Sequence, residues 1–194
     1  NTVYLERGHI YLLYGAESSG GDAKGNKVFI DGGLVSNRNQ NGYGGVNGGN
    51  ASKSALENVV SITRGKVNAY VYGGTGSLKA NENKVLISGG EIVGSVWGGS
   101  SDDEAKGNLV EIEGNPNLTA ASLFGGDAPI SLNNTLSIKT SGLVVQQIGD
   151  FQNLNFDVAQ AVGSTPLLKV IGNQATNIKN TIVKVTLDKN AIPL

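Results

Sequence analysis

Apolar and polar residues alternate in short segments that return along this chain at nearly constant spacing. Each segment follows an asparagine, with an apolar residue two positions and again four positions after it, and with positions between them that accept charge. The two apolar columns are Val3, Val28, Val60, Val85, Val110 and Leu136, then Leu5, Ile30, Ile62, Ile87, Ile112 and Ile138. Alternation with a period of two and many β-branched residues predicts strands with one buried face.

The asparagines mark the length of the repeat. They are Asn1, Asn26, Asn58, Asn83, Asn108 and Asn134, at successive spacings of 25, 32, 25, 25 and 26 residues. Glycines after most first strands supply the positive φ of a sharp corner. Further apolar positions follow, and four copies add an aromatic residue: Tyr14, Tyr72, Trp97 and Phe124. Three strands and three corners in one such unit predict a coil of a parallel β-helix.

The predicted fold is therefore all-β, a right-handed single-chain parallel β-helix (β-solenoid) with about 25 residues per coil. Asparagines in register would form an amide ladder at one corner, where backbone groups otherwise lack partners. Residues 1–150 would form six coils, and residues 151–194, which lose the Gly-Gly corners, irregular terminal coils or a cap that continues the same solenoid. Glycine provides 29 of the 194 residues, which is also typical of disordered segments. Disordered chain does not keep Val and Ile in register, so the solenoid is the better interpretation.

Charge and composition restrict the chemistry. The net charge of −1 and a pI near 5.8 give no basic surface for nucleic acid or an anionic membrane. The absence of cysteine excludes disulfides and thiolate metal sites. His9 is the only histidine, and the acidic run at residues 102–104 is typical of a solvated loop, so we expect no metal site and no cofactor.

A carbohydrate-active β-helix enzyme, either a polysaccharide lyase or a glycosidase, is the alternative interpretation. Such enzymes gather paired carboxylates, or a carboxylate with Arg or Lys, on one face. The candidates are Asp31, Glu91, Glu111 and Glu113. We expect Asp31 and Glu91 to stand alone in their columns and the two others to face no acid on neighbouring strands. The sequence therefore predicts no catalytic residues and no enzyme.

Coil two is longer than the others, and its extra residues are predicted at Ser36–Tyr43 and again at Val46–Leu56. Gly42 would replace the inward apolar residue of the other coils. Insertions in repeat proteins form loops on one face and are often binding surfaces. If the chain binds a ligand, we expect this loop to do so through Arg38, Tyr43 and Lys53.

Several sequence segments resemble repeats of bacterial autotransporter passenger domains. They are Gly25–Gly33, Asn83–Gly90, Val96–Gly99 and Val71–Gly74. The tail Phe151–Phe156, followed by Leu167–Val170, is similar to the segment that ends the regular repeats before the outer-membrane barrel.

This resemblance implies type V secretion and an extracellular, cell-surface location, with outer-membrane anchoring through a barrel domain outside this chain. The chain would be a non-catalytic part of the passenger, an adhesin stalk or binding surface. Its partners would be host-cell surface or matrix glycoproteins or glycans, and the chain would be monomeric. Because it has no methionine and begins inside a repeat, we expect a fragment of a longer protein.

Overall fold

The computed structural model describes residues 1–37, 44–158, 165–174, 176, 178 and 180–187, and these residues form β-strands without any helix. The strands in chain order are β1 (Thr2–Leu5), β2 (His9–Ile10), β3 (Leu12–Tyr14), β4 (Glu17–Ser18), β5 (Ala23–Lys24), β6 (Lys27–Ser36), β7 (Gly45–Asn47), β8 (Asn50–Ala51), β9 (Ser54–Leu56), β10 (Val59–Asn68), β11 (Tyr70–Tyr72), β12 (Thr75–Gly76), β13 (Lys79–Asn81), β14 (Lys84–Ile87), β15 (Glu91–Ile92), β16 (Ser95–Trp97), β17 (Ser100–Ser101), β18 (Glu104–Lys106), β19 (Leu109–Ile112), β20 (Ser122–Phe124), β21 (Ile130–Leu132), β22 (Thr135–Ile138), β23 (Leu143–Val145), β24 (Gln147–Gly149), β25 (Asn153–Val158), β26 (Leu168–Val170) and β27 (Ile182–Leu187).

These strands stack as a parallel β-solenoid of about seven turns, which confirms the predicted fold. Sheet 1 runs β1-β6-β10-β14-β19-β22-β25-β27, with β2 and β15 beside it. Sheet 2 contains β3, β7, β11, β16, β20 and β24, sheet 3 contains β4, β8, β12 and β17, and sheet 4 contains β5, β9, β13, β18 and β21. A short fifth sheet pairs β23 with β26.

The two apolar columns of the repeat lie inside the rod. Val60, Val85 and Val110 are neighbours in register, as are Ile62, Ile87 and Ile112. All six are 0 or 1 % exposed. Each coil therefore places its valine and isoleucine on those of the previous coil, about 4.8 Å away, and the core is a continuous apolar column.

The predicted amide ladder is present. Each asparagine side-chain oxygen accepts hydrogen bonds from the backbone and side-chain N–H groups of the previous marker; Asn58 donates both to Asn83 Oδ1 at 3.0 Å. The side-chain amide of Asn83 also donates to the carbonyl of Ala55, which lies three residues before Asn58 in the chain. Asn58, Asn83, Asn108 and Asn134 are fully buried, and no buried side-chain polar atom of the described residues lacks a partner.

The Gly-Gly corner beside each ladder rung has a packing reason. A Cβ added to Gly73 would collide with the carbonyl oxygen of Gly98 and would lie 3.0 Å from the Cβ of Asn83. Glycine is therefore required because adjacent coils approach each other through their backbones, next to the buried asparagine.

A coil contains more strands than the three predicted. From Lys84 to Lys106 the chain forms five short strands, β14 to β18, since sheets 3 and 4 add two sides to the coil. The inward residues of sheet 4 are alanines, Ala55, Ala80 and Ala105, all 0 % exposed. Strands of two or three residues with one inward alanine give too short an alternation to be recognised in the sequence.

The predicted position of the coil-two insertion is partly wrong. Val46 pairs in register with Val71, so it is Val46, and not Gly42, that supplies the inward residue of this coil. Residues 46–56 form β7, β8 and β9 at the regular 25-residue offset from β11, β12 and β13. Ser36 pairs with Asn68, and Gly45 pairs with Tyr70. Residues 37–44 of coil two therefore correspond to the single residue 69 of coil three, so the extra residues all lie within 37–44.

The regular coil ends because the turn from β22 to β25 skips two sides. Thr135 of β22 pairs with Asn153 of β25, only 18 residues later, and no described strand of sheet 3 or 4 lies between them. Phe151 is 5 % exposed and packs within the core at this shortened turn. Gln152 replaces the next asparagine by accepting a hydrogen bond from the backbone N–H of Asn134 at 2.8 Å. Beyond it, β27 pairs with β25 in parallel.

Candidate functional site

The outer face of sheet 2 carries a column of aromatic residues. Tyr72 pairs in register with Trp97, and Trp97 with Phe124, while the residue before each points into the core. The aromatic side chains are half-buried, because they stand outward on a parallel sheet where only their ring faces are covered. We call this column the aromatic ladder, with Tyr14 as its member in coil one.

The rings of the ladder stack along the rod axis. The Tyr72 and Trp97 centroids are 4.9 Å apart with planes 10° from parallel, and those of Trp97 and Phe124 are 5.5 Å apart at 20°. Tyr70, from the neighbouring outward column, contacts both Tyr72 and Trp97 edge-on, at 6.4 and 5.4 Å. Tyr70 is 40 % exposed, so an apolar patch continues across the face.

The ladder is interrupted in coil two. The register position between Tyr14 and Tyr72 is occupied by Asn47, and the adjacent outward position, between Leu12 and Tyr70, by Gly45. The small side chains leave a cleft of about 260 Å³. Its walls and floor include Leu12, Tyr14, Asn47, Asn50, Tyr72 and Thr75.

A chain of polar groups forms the floor of this cleft. The Asn47 side chain accepts from the backbone N–H of Gly49 at 3.1 Å and donates to Thr75 Oγ1 at 2.7 Å. The Thr75 hydroxyl donates to Asn50 Oδ1 at 2.8 Å, and the Asn50 amide donates to Glu17 Oε1 at 3.4 Å. The chain crosses three coils and ends at an exposed carboxylate.

Carboxylates lie near both tyrosines that flank the cleft. Burial raises the pKa of Tyr14, and the charge of Glu17 raises it further. Burial raises the pKa of Tyr72 to about 12, with smaller contributions from Tyr70 and Asp127. Both phenols are therefore neutral hydrogen-bonding groups at pH 7, in a locally negative field.

Three of the four acidic residues of the enzyme alternative are paired with basic side chains rather than with one another. The Asp31 carboxylate, which we expected to stand alone, accepts from Arg64 Nε at 2.9 Å and from Nη2 at 2.6 Å. The hydrogen bonds from Arg64, followed by that from Thr63, lower the pKa of Asp31 to about 2. Glu91 pairs with Lys66 at 3.0 Å, so it does not stand alone either.

Glu111 likewise pairs with Lys139 at 2.9 Å. Glu113, two residues further along the chain, is exposed. Among the residues that the structure describes, no three His, Cys, Asp or Glu side chains gather as a metal site would require.

The residues predicted to bind a ligand do not share one loop. Arg38 and Tyr43 lie outside the described residues. Lys53 lies at the regular corner between β8 and β9, where its carbonyl accepts from Leu78 N at 2.8 Å. That corner is separated from the insertion by strands β7 and β8.

The cleft over Asn47 was missed from the sequence, although the repeat contains a signal for it. Asn47-Gly48-Gly49 aligns with Tyr72-Gly73-Gly74 when the Gly-Gly corners are superposed, and this alignment shows that one coil lacks its aromatic residue. An asparagine that occupies a ladder position between two tyrosines therefore indicates a gap in the aromatic column.

The chain matches no family model, no curated protein and no solved structure. Over the ranges that the structure describes, no helix has the length and apolar character to cross a membrane. The functional proposal therefore rests on the β-solenoid and its surface.

Proposed function

We propose that this chain is a non-catalytic part of an autotransporter passenger, which acts as a stalk and presents a binding surface at the bacterial cell surface. The observation that carries the proposal is the half-exposed aromatic ladder, with the exposed Tyr70 beside it, on one face of a regular parallel solenoid. Aromatic side chains are enriched in protein interfaces because they bury a large area and retain specific stacking geometry. An exposed apolar strip of this kind is typical of an interaction site.

The architecture suits a stalk. Each coil contacts only its neighbours through parallel pairing, and the six regular coils extend roughly 25–30 Å. Solenoids fold by propagation from one coil to the next, so a chain that emerges end-first from a membrane pore is able to fold as it emerges. The absence of cysteine means that no disulfide hinders passage through the periplasm.

The proposed partners are glycoproteins or glycans of host-cell surfaces or the extracellular matrix. The rings of the ladder cover one another's faces, so they offer three successive edges to a partner. Aromatic edges pack against aromatic side chains in an edge-to-face arrangement and against other apolar groups, including the C–H groups of sugars. The net charge of −1 gives no general attraction to polyanions.

A binding experiment tests the surface. The labelled chain is applied to glycan and matrix-protein arrays beside Trp97→Ser, which removes the central ring of the ladder. We expect Trp97→Ser to lose most of the bound signal. Tyr4→Ser is the matched control, since Tyr4 is 67 % exposed and stacks on Phe29 on sheet 1, away from the ladder. Equal binding by Trp97→Ser and the original chain would contradict a role of this face.

Two further measurements address secretion and the enzyme alternative. Fused between a signal peptide and an autotransporter barrel, the chain should become sensitive to protease added outside intact Gram-negative cells, and retention in the periplasm would oppose the proposal. Incubated with neutral and acidic polysaccharides, the chain should release no reducing ends or unsaturated products. Saturable turnover would instead favour a polysaccharide lyase or glycosidase.

A further inference from the structure

We propose that the cleft over Asn47 is a subsite for one neutral hexopyranose ring, held between Tyr14 and Tyr72. The inference names a ligand class for the surface described above and rests on that proposed function, but it concerns a different part of the face. Three features of the cleft carry it: the spacing of the walls, the polar floor and the local charge.

The walls have the spacing of a missing ring. Tyr14 and Tyr72 belong to coils two strand spacings apart, about 9.6 Å, because Asn47 lies between them in register. A ring placed midway would lie about 4.8 Å from each tyrosine. Tyr72 and Trp97 stack at 4.9 Å on the next step of the ladder, so this distance already occurs between neighbouring rings of the face.

The size of the cleft agrees with a single sugar. Its volume of about 260 Å³ lies below the roughly 300–1,000 Å³ of pockets for drug-sized ligands. Gly45 keeps the side next to Asn47 open, and a Cβ there would lie 2.7 Å from the Tyr70 carbonyl oxygen. The open side provides space for the substituents of one ring and for continuation of a glycan chain.

The floor favours a sugar over an aromatic side chain. A pyranose presents C–H faces to aromatic walls and hydroxyls around its edge. The edge of a ring in this cleft would meet the amide of Asn50 and the hydroxyl of Thr75, which both line the cleft and are hydrogen-bonded to each other. The Asn50 amide also donates to the carboxylate of Glu17. Amide and hydroxyl groups both donate and accept hydrogen bonds, so they match the hydroxyls of a sugar. An aromatic side chain in the cleft would instead place carbon atoms against these polar groups, and carbon forms no hydrogen bond with them.

The charges favour a neutral sugar over a uronic or sialic acid. Two carboxylates accept hydrogen bonds from residues that line the cleft: Glu17 from Asn50, and Asp127 from Ser100, each at 3.4 Å. Two carboxylates near the site repel an acidic ligand, and the described residues that line the cleft include no lysine or arginine to offset them.

The direct test measures binding of methyl β-D-glucopyranoside, methyl β-D-galactopyranoside and methyl α-D-mannopyranoside, with methyl β-D-glucopyranosiduronate as the acidic probe. Trp97 is the only tryptophan and stacks on Tyr72, so its fluorescence reports on the cleft wall, and saturation-transfer NMR gives an independent readout. We expect saturable binding of at least one neutral glycoside and at least about tenfold weaker binding of the glucuronide, the scale of one unfavourable charge contact.

The variant Asn47→Tyr fills the cleft with the residue type that the same register position carries in coil three. We expect it to fold and to weaken glycoside binding at least about tenfold, as should Tyr14→Ser, which removes one wall. Phe124→Ser removes a ring two coils beyond the cleft wall and should change the affinity less than about twofold. If Asn47→Tyr does not fold, Tyr14→Ser and Phe124→Ser decide the test.

The absence of saturable binding by all three neutral glycosides would overturn the subsite, as would binding that persists in Asn47→Tyr. Array binding that depends on Trp97 would then remain, and the proposed function would stand without the subsite. Conversely, glycoside binding by a chain that is not exported would support the subsite and oppose the passenger assignment.

Discussion

Two ladders run along this solenoid, one inside and one outside, and they differ in continuity. The asparagine ladder passes through six coils without a break, from Asn1 to Asn134, and its central members are fully buried. The aromatic ladder is half-exposed and skips coil two, where Asn47 stands between Tyr14 and Tyr72. A buried amide has no alternative to its partner in the next coil, whereas an exposed ring can be replaced without leaving any group unsatisfied.

The difference separates what holds the fold from what is free to serve a function. Loss of an inside position leaves polar groups or a cavity in a column that every coil shares. Loss of an outside position removes one stacking contact, worth roughly 0.5–1.5 kcal/mol, and changes the surface that a partner meets. The following experiments test this separation, starting with the inside of the rod.

The largest effect is expected for Ile87→Asp. Ile87 is 1 % exposed and lies between Ile62 and Ile112 in register, so the variant would bury a carboxylate without a partner. The cost, about 5 kcal/mol or more, is comparable to the whole stability of a domain. Circular dichroism should show loss of the cooperative thermal transition. Lys84→Asp, at an exposed position of the same strand, should melt near the original temperature, and equal melting of Ile87→Asp would contradict the inward assignment.

The variant Asn83→Ala breaks the inner ladder at one rung. Asn83 Oδ1 accepts from both the backbone and the side-chain N–H of Asn58, and its amide donates to the Ala55 carbonyl. Two buried donors would lose their acceptor, at about 1–3 kcal/mol each, so we expect a loss of about 2–6 kcal/mol in urea unfolding. Asn115→Ala, at an exposed position between β19 and β20, should cost less than about 0.5 kcal/mol. A similar small loss for both variants would show that water replaces the ladder.

The inside of the rod was largely predictable from the sequence, because its constraints repeat with the coil. Val60 and Val85, or Asn58 and Asn83, occupy the same environment, and the period of 25 residues makes each copy evidence for the next. The alanine strands of sheet 4 were missed because a single small inward residue, such as Ala80, produces no detectable alternation.

The outside was less predictable, because it depends on the relation between coils. A spacing of 32 shows that coil two has seven extra residues, but the spacing alone does not place them before or after Val46. The pairing of Asp31 with Arg64 crosses a register shift in sheet 1, so it follows no column of the repeat. The cleft over Asn47 follows only from aligning the Gly-Gly corners.

The aromatic ladder should give stability a dependence on alkaline pH. The pKa of Tyr72 is about 12 in the fold, above the usual value of 10.0, chiefly because of burial. Tyr72 loses its proton at a lower pH in the unfolded chain than in the fold. Its contribution to the free energy of unfolding is therefore complete below pH 10 and falls as the pH rises towards 12. Urea unfolding of Tyr72→Phe should therefore lose less stability between pH 10 and 12 than the original chain. Tyr4→Phe, on sheet 1, is the control, and identical pH profiles for all three proteins would contradict the assignment.

The smallest effect on stability is expected for deletion of residues 37–43. The deletion joins Ser36 to Gly44-Gly45, which reproduces the spacing between Asn68 and Tyr70 in coil three. Loop length contributes little to stability, so the melting temperature should change by only a few degrees. Deletion of residues 46–52 is the matched comparison, and it should abolish folding because it removes most of β7 and all of β8 from sheets 2 and 3. The first deletion also removes Arg38 and Tyr43, so array binding distinguishes two surfaces. If the deletion variant loses binding and Trp97→Ser retains it, the insertion is the adhesive surface. The aromatic ladder would then have a structural role alone.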